Sequence, residues 1–138
     1  MKIRIYQVIS IILLFVNSIG ALAGGGGLMN DPSGKGNEIS LEWLKYTPFK
    51  DFFIPGLILF TVNGLFGLVI LAMIFFKYVT YPVFIVLQGI LLGGWIIIQM
   101  MLLRSINFLH ITFLSVAIAF VVLGVLQLKE VRKCYRSE

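Results

Sequence analysis

Among the side chains able to form hydrogen bonds inside the long apolar runs, six with amide or aromatic N–H groups stand out: Asn17, Asn63, Gln88, Trp95, Gln99 and His110. Amides, an indole and an imidazole in such surroundings suit the binding of a lipid, a quinone or another small amphiphile, whose polar head needs a few placed partners in an apolar pocket. Simple packing accounts for them without any ligand, because buried polar groups also bond across helices, and binding is the alternative. Proton relays and ion pathways are disfavoured, since no Asp, Glu, Lys or Arg lies deep in these runs.

Catalytic chemistry finds little material. His110 is the only histidine, so one chain cannot build a multi-histidine metal site or a haem held by two histidines. The single cysteine, Cys134, excludes an intrachain disulfide and any cysteine-only metal site. A Ser/His/Asp set drawn from His110 with Asp31 or Asp51 lacks the G-x-S-x-G turn that would present the serine. Asp31, Glu38, Glu42 and Asp51 do not follow the spacing of a calcium loop. The expectation is a non-enzymatic chain that calls for neither cofactor nor metal, with His110 a solvated residue at the mouth of a helix.

The elements that carry these residues follow from composition. Of 138 residues, 59% are hydrophobic and 12% charged, too few charges to cover a water-soluble domain of this size. A bilayer core about 30 Å thick needs about 20 apolar residues per helix, and the chain offers four such runs, at about 6–28, 54–76, 82–103 and 108–128. The reading is all-α: one four-span membrane domain over 1–138, a four-helix bundle with a loop at 29–53 and a basic tail at 129–138. The first run also has the parts of a signal peptide, with Lys2 and Arg4 before Val8 to Val16 and then Ala21-Leu22-Ala23. Its apolar character continues through Gly27-Leu28-Met29, which is long enough to span, and it is read as a helix.

Turn and cap chemistry punctuates the runs. Asp31-Pro32-Ser33-Gly34 places each residue where a type I turn favours it. Ser40 can cap a short amphipathic segment whose Leu41, Trp43 and Leu44 lie against the bilayer while Glu42 and Lys45 face water. Thr47-Pro48 reads as an N-cap followed by proline at the first helical position, with Asp51 in the opening turns. Pro55-Gly56 predicts a kink or a helix start. Lys77 to Pro82 is a short reversal that makes a tight hairpin of spans two and three, and Arg104 to Asn107 reverses the chain again.

The net charge of +5 does not point to nucleic acid, because the basic residues flank the apolar runs instead of forming a stripe. Seven of them (Lys2, Arg4, Lys77, Lys129, Arg132, Lys133, Arg136) fall on the side of the two termini and four (Lys35, Lys45, Lys50, Arg104) on the other. Such positive-inside patterning predicts that both termini are cytoplasmic.

Small and polar residues recur every seven positions, which keeps them on one face of each helix. The stripes are Ser10, Asn17 and Gly24; Gly56 and Asn63, with Gly67 beyond; Gln88 and Trp95, with Gln99 beyond; and His110, Ala117 and Gly124. These faces are expected to point inward. Gly89 and Gly93 form a GxxxG step on a neighbouring face, where another helix, a second protomer or a larger membrane partner could approach.

The Asp31-Pro32-Ser33-Gly34 turn, the stretch Thr47-Pro48-Phe49-Lys50-Asp51-Phe52-Phe53-Ile54-Pro55-Gly56, and Gly93-Gly94-Trp95 resemble the pattern of a group of small, uncharacterised four-span bacterial membrane proteins. The resemblance implies four spans and a bacterial inner membrane, and no activity. A looser likeness to DoxX-type four-span proteins, some of which accompany redox systems, is one of span count and glycine-rich helices. The functional expectation is a small subunit or scaffold of a membrane assembly, with an amphiphile binder or carrier as the alternative.

Overall fold

The computed structural model describes residues 2–137, and the four apolar runs within them are four helices: α1 (Lys2–Asn30), α2 (Phe53–Phe75), α3 (Tyr81–Leu103) and α4 (Phe108–Arg136). Each is long and apolar enough to cross a bilayer. Large apolar side chains such as Ile12, Phe15 and Val16 of α1, Val69 of α2, Ile90 of α3 and Ile118 of α4 are exposed on the outside of the bundle. An aqueous surface would not tolerate so continuous an apolar coat, whereas lipid tails solvate it without cost. The protein is therefore a multi-pass membrane protein built as an antiparallel four-helix bundle. Both termini and the turn at Lys77 share one end, and the loop over 31–52 lies at the other.

Glycines decide which helices meet. A Cβ on Gly25 of α1 would lie 2.6 Å from the carbonyl oxygen of Gly56 and 2.7 Å from the amide nitrogen of Phe60, both on α2. On the other side of the bundle, a Cβ on Gly89 of α3 would lie 2.7 Å from the carbonyl oxygen of Ala117 on α4, and one on Gly124 of α4 would lie 2.9 Å from that of Pro82 on α3. Backbones approach this closely only where no side chain intervenes. The intimate pairs are thus α1 with α2 and α3 with α4. Spans two and three, expected as a tight hairpin, share a short turn but pack less closely, because neither brings a glycine to the backbone of the other. Gly89 and Gly93, expected to offer a face to a partner, are covered by α4 of the same chain.

Helix ends mostly follow the hydropathy, with two departures. α4 does not stop at Leu128: it continues as helix to Arg136, roughly 12 Å farther at 1.5 Å per residue. The expected basic tail is a rigid projection, since Lys129, Glu130, Arg132 and Lys133 are good helix formers and Lys133 and Arg136 complement the negative end of the helix dipole. α2 begins at Phe53, with Pro55 in its first turn, where an absent N–H breaks no bond within the helix. Thr47 and Pro48 are therefore not its cap and first residue. The Thr47 hydroxyl donates to the Leu44 carbonyl at 2.9 Å and accepts from the Phe49 amide at 3.2 Å, closing a turn, while the Asp51 carboxylate accepts from the Phe53 amide at 3.0 Å at the true start. Over Leu59–Leu65 the helix widens to π geometry before resuming as α-helix over Phe66–Phe75. Nothing in the composition of LFTVNGL announces this.

The loop over 31–52 is ordered by its own polar groups. Asp31 accepts from the Ser33 hydroxyl at 2.5 Å, the Ser33 amide at 3.2 Å and the Gly36 amide at 2.9 Å. Gly34 closes the turn at φ 76°, and a Cβ there would meet the carbonyl of Ile39 at 2.7 Å. Ser40 caps a short 3-10 turn, Leu41–Leu44, by accepting from Glu42 at 3.2 Å. Leu44 does not face lipid as expected: it turns inward onto Leu28 and Phe52 and pins the loop to the ends of α1 and α2. Trp43 stays exposed, and Tyr46 lies under the guanidinium of Arg104, 4.1 Å from ring centroid to Cζ.

The bond from the Ser33 hydroxyl, with help from the Gly36 amide, holds the Asp31 carboxyl below its ordinary pKa of 3.8. A depressed carboxylate contributes stability that is fully present above the ordinary value and is lost as pH falls through the lowered one. The loop should thus become more sensitive to an acid-active protease below about pH 3.8. Asp31→Asn, which cannot titrate, should flatten that dependence; an unchanged acid profile in the variant would assign it to another group.

Candidate functional site

The six polar residues separate into two sets. Gln88 and Asn63 belong to the core, each with 0% exposure, and the Gln88 Nε2 donates to Asn63 Oδ1 at 3.0 Å, joining α3 to α2. Nearer the termini, Gln127 Nε2 donates to the Ser10 hydroxyl and Gln7 Nε2 to the Tyr81 hydroxyl, both at 2.8 Å. Ile70, Ile74, Ile85 and Phe120 fill the space between these bonds. The terminal half of the bundle is closed.

Asn17, Trp95, Gln99 and His110 belong to the other half. They line a cavity of about 340 Å³ between the two helix pairs, roofed by the loop through Ile39, Trp43, Leu44, Thr47 and Phe49. Its remaining walls are mainly aliphatic or aromatic: Leu28, Pro55, Leu59, Leu92, Ile96, Leu103 and Phe113 among them. No Asp, Glu, Lys or Arg lines it. Asn17, on the middle of α1, is 6% exposed, and its Nδ2 finds no hydrogen-bond partner among the described residues; neither does the indole Nε1 of Trp95 on α3. Buried polar atoms left unpaired cost about 1–3 kcal/mol each, and Ser18 Oγ, Asn63 Nδ2, Gln88 Oε1 and Gln127 Oε1 in the core share that state, so it does not by itself single out the cavity wall.

His110 differs from its expected solvated role. It is 7% exposed, and its Nδ1 accepts from the Asn107 amide at 3.2 Å, so the side chain caps the helix that carries it. With Nδ1 acting as acceptor, the neutral ring carries its proton on Nε2. This bond also removes His110 from any Ser/His/Asp arrangement that would use Nδ1 as the oriented donor.

Four residues of functional weight escape the heptad stripes. Asn37, Thr47 and Asn107 bring polar groups to the cavity from loops and a helix end, where sequence periodicity carries no information. Gln127 lies three positions after Gly124, hence on the inward face of α4, and that spacing was the available signal.

Fold and site together define a four-span helical membrane protein with a polar-edged cavity between paired helices. No family model, curated protein or solved structure matches the chain.

Proposed function

We propose that this protein binds a lipid-like amphiphile between its two helix pairs. The observation that carries the reading is the cavity itself: about 340 Å³, apolar over most of its wall, with Asn17, Trp95, Gln99 and His110 at its edge. That is the composition of a small-molecule pocket, placed where a bilayer component can reach it. A role as a small subunit or scaffold of a membrane assembly would need a contact surface other than Gly89 and Gly93, which α4 covers.

Native mass spectrometry of protein purified in mild detergent tests the proposal, with retained lipid or another amphiphile as the expected result. Gln99→Leu should leave the melting temperature of the delipidated protein nearly unchanged, because Gln99 makes no hydrogen bond to another helix, yet reduce the stabilisation that added membrane lipid confers by mass action. A protein that retains nothing and is not stabilised by total lipid extract would refute it.

We also place the chain in a bacterial inner membrane with both termini cytoplasmic. The seven-to-four distribution of basic residues supports the orientation, and the resemblance at the Asp31 turn and the Thr47 to Gly56 stretch supports the compartment. In a Cys134→Ser background, a cysteine at Ser33 should react with an impermeant thiol reagent in intact cells and one at Ser137 should not. The opposite pattern would invert the topology.

A further inference from the structure

We infer that the cavity opens sideways between α1 and α4 and takes in one acyl chain of a phospholipid from the leaflet on the loop side, while the head of that lipid stays outside at the loop rim. The inference rests on the amphiphile-binding reading and names the occupant and its route.

The mouth lies where lining residues also meet the outside. Gly20 of α1 does both: it lines the cavity, it is exposed, and a Cβ built on it meets nothing within 4 Å. No side chain divides its two surfaces, so cavity and surroundings are continuous there. On α4, Leu109 and Phe113 likewise line the cavity and are 63% and 37% exposed; four positions apart, they form one edge of that helix. On the opposite seam, between α2 and α3, Pro55, Leu59, Gln99 and Leu103 line the cavity and none is exposed. Nearer the termini α1 and α4 are held together, where Gln127 bonds to Ser10 and where Leu14 and Phe120 are fully buried. Toward the loop they part.

The depth of the mouth identifies what stands before it. Gly20 lies ten residues ahead of the end of α1 at Asn30, about 15 Å at 1.5 Å per residue, which is half of a hydrocarbon core about 30 Å thick. The opening therefore runs the depth of one leaflet, and its neighbours there are acyl chains. An apolar wall with nothing against it forfeits dispersion contacts, and a chain beside Leu28, Leu92 and Ile96 restores them. The head has no such reason to enter. No Asp, Glu, Lys or Arg lines the cavity, so a charged head drawn inside would lose its hydration and meet no counter-charge. It stays at the upper rim, where Asn37, Trp43 and Asn107 line the cavity and are exposed.

The test plugs the mouth and follows the lipid. By native mass spectrometry in mild detergent, the full chain should retain an intact phospholipid. Gly20→Phe, which sets a ring in the open position, should lose most of it, and Gly20→Leu part of it. Ile19→Phe, at an exposed position outside the cavity, should lose none. The second readout uses vesicles of dioleoylphosphatidylcholine mixed with phosphatidylcholine brominated midway along one acyl chain. In a Trp43→Phe background Trp95 is the remaining tryptophan; the bromines should quench its emission, and Gly20→Phe should relieve most of that quenching while Ile19→Phe relieves none. Retention and quenching that Gly20→Phe leaves unchanged would overturn the lateral route while leaving the amphiphile site standing. Retention solely of molecules smaller than a phospholipid would overturn the outside placement of the head. No retained molecule, with quenching equal in all variants, would overturn both readings. Gly20→Leu against Ile19→Phe decides the matter should Gly20→Phe fail to fold.

Discussion

Gly25→Ala is expected to disrupt the α1/α2 pair and lower stability by about 3 kcal/mol. The added methyl would lie within 3 Å of the Gly56 carbonyl, the Phe60 amide and the Phe60 Cβ. Two of these are backbone atoms held by helical hydrogen bonds, so relief requires moving one helix away from the other. The intrinsic preference of alanine for helix, about 1 kcal/mol over glycine, offsets only part of that. Gly20→Ala and Gly94→Ala are the controls, since a Cβ at either position meets nothing within 4 Å; both should be neutral or stabilising. Reversible unfolding in a denaturing detergent series measures all three. Equal behaviour of Gly25→Ala and Gly20→Ala would mean that the α1/α2 backbones do not touch.

Gln88→Leu is the second large effect. It removes the bond to Asn63 and leaves the Asn63 oxygen buried without a donor, for a loss of about 0.6–2 kcal/mol, the range measured for such bonds inside membranes. Combining it with Asn63→Leu isolates the pair: the double variant should lose less than the sum of the singles, because the second replacement removes an atom already orphaned. Simple additivity would show that the two amides do not bond. Set beside Gln99→Leu, which on the proposed amphiphile reading should act through ligand and not through the empty protein, the pair tests which residues hold the bundle and which serve the cavity.

Much of the architecture is readable from residue order. Hydropathy places all four helices to within a few residues of their observed ends except at the two extremities of the chain, where α1 and α4 run on as polar helix. Heptad spacing turns Ser10, Asn17, Asn63, Gln88, His110, Ala117 and Gly124 inward, and all are buried. Which polar residue bonds and which lines a cavity is not readable, because Asn17 and Asn63 both follow a valine and precede a small and then an aliphatic residue. Their difference lies in what stands across from them: Gln88 reaches Asn63, while no side chain among the described residues bonds to Asn17, which lines the cavity. Helix pairing is not readable either: Gly25, one position beyond the stripe's Gly24, is the residue that meets Gly56. The π segment and the inward turn of Leu44 arise from contacts between distant parts of the chain and leave no local trace.

The glycine run that lets α1 meet α2 also bears on how the chain is made. Gly24 to Gly27 are four consecutive residues of poor helix propensity, each about 1 kcal/mol worse than alanine, yet α1 stays helical through Asn30. Their partner Gly56 is synthesised 31 residues after Gly25, a delay on the order of seconds at ribosomal speeds of about 5–20 residues per second. During that interval the loop end of α1 lies near the membrane surface, where water competes for its backbone, and it frays. It becomes firm helix when α2 inserts beside it. α3 and α4 then complete their own glycine-mediated contact, so the nascent chain assembles as two successive hairpins. The space between the hairpins is enclosed last, as they meet.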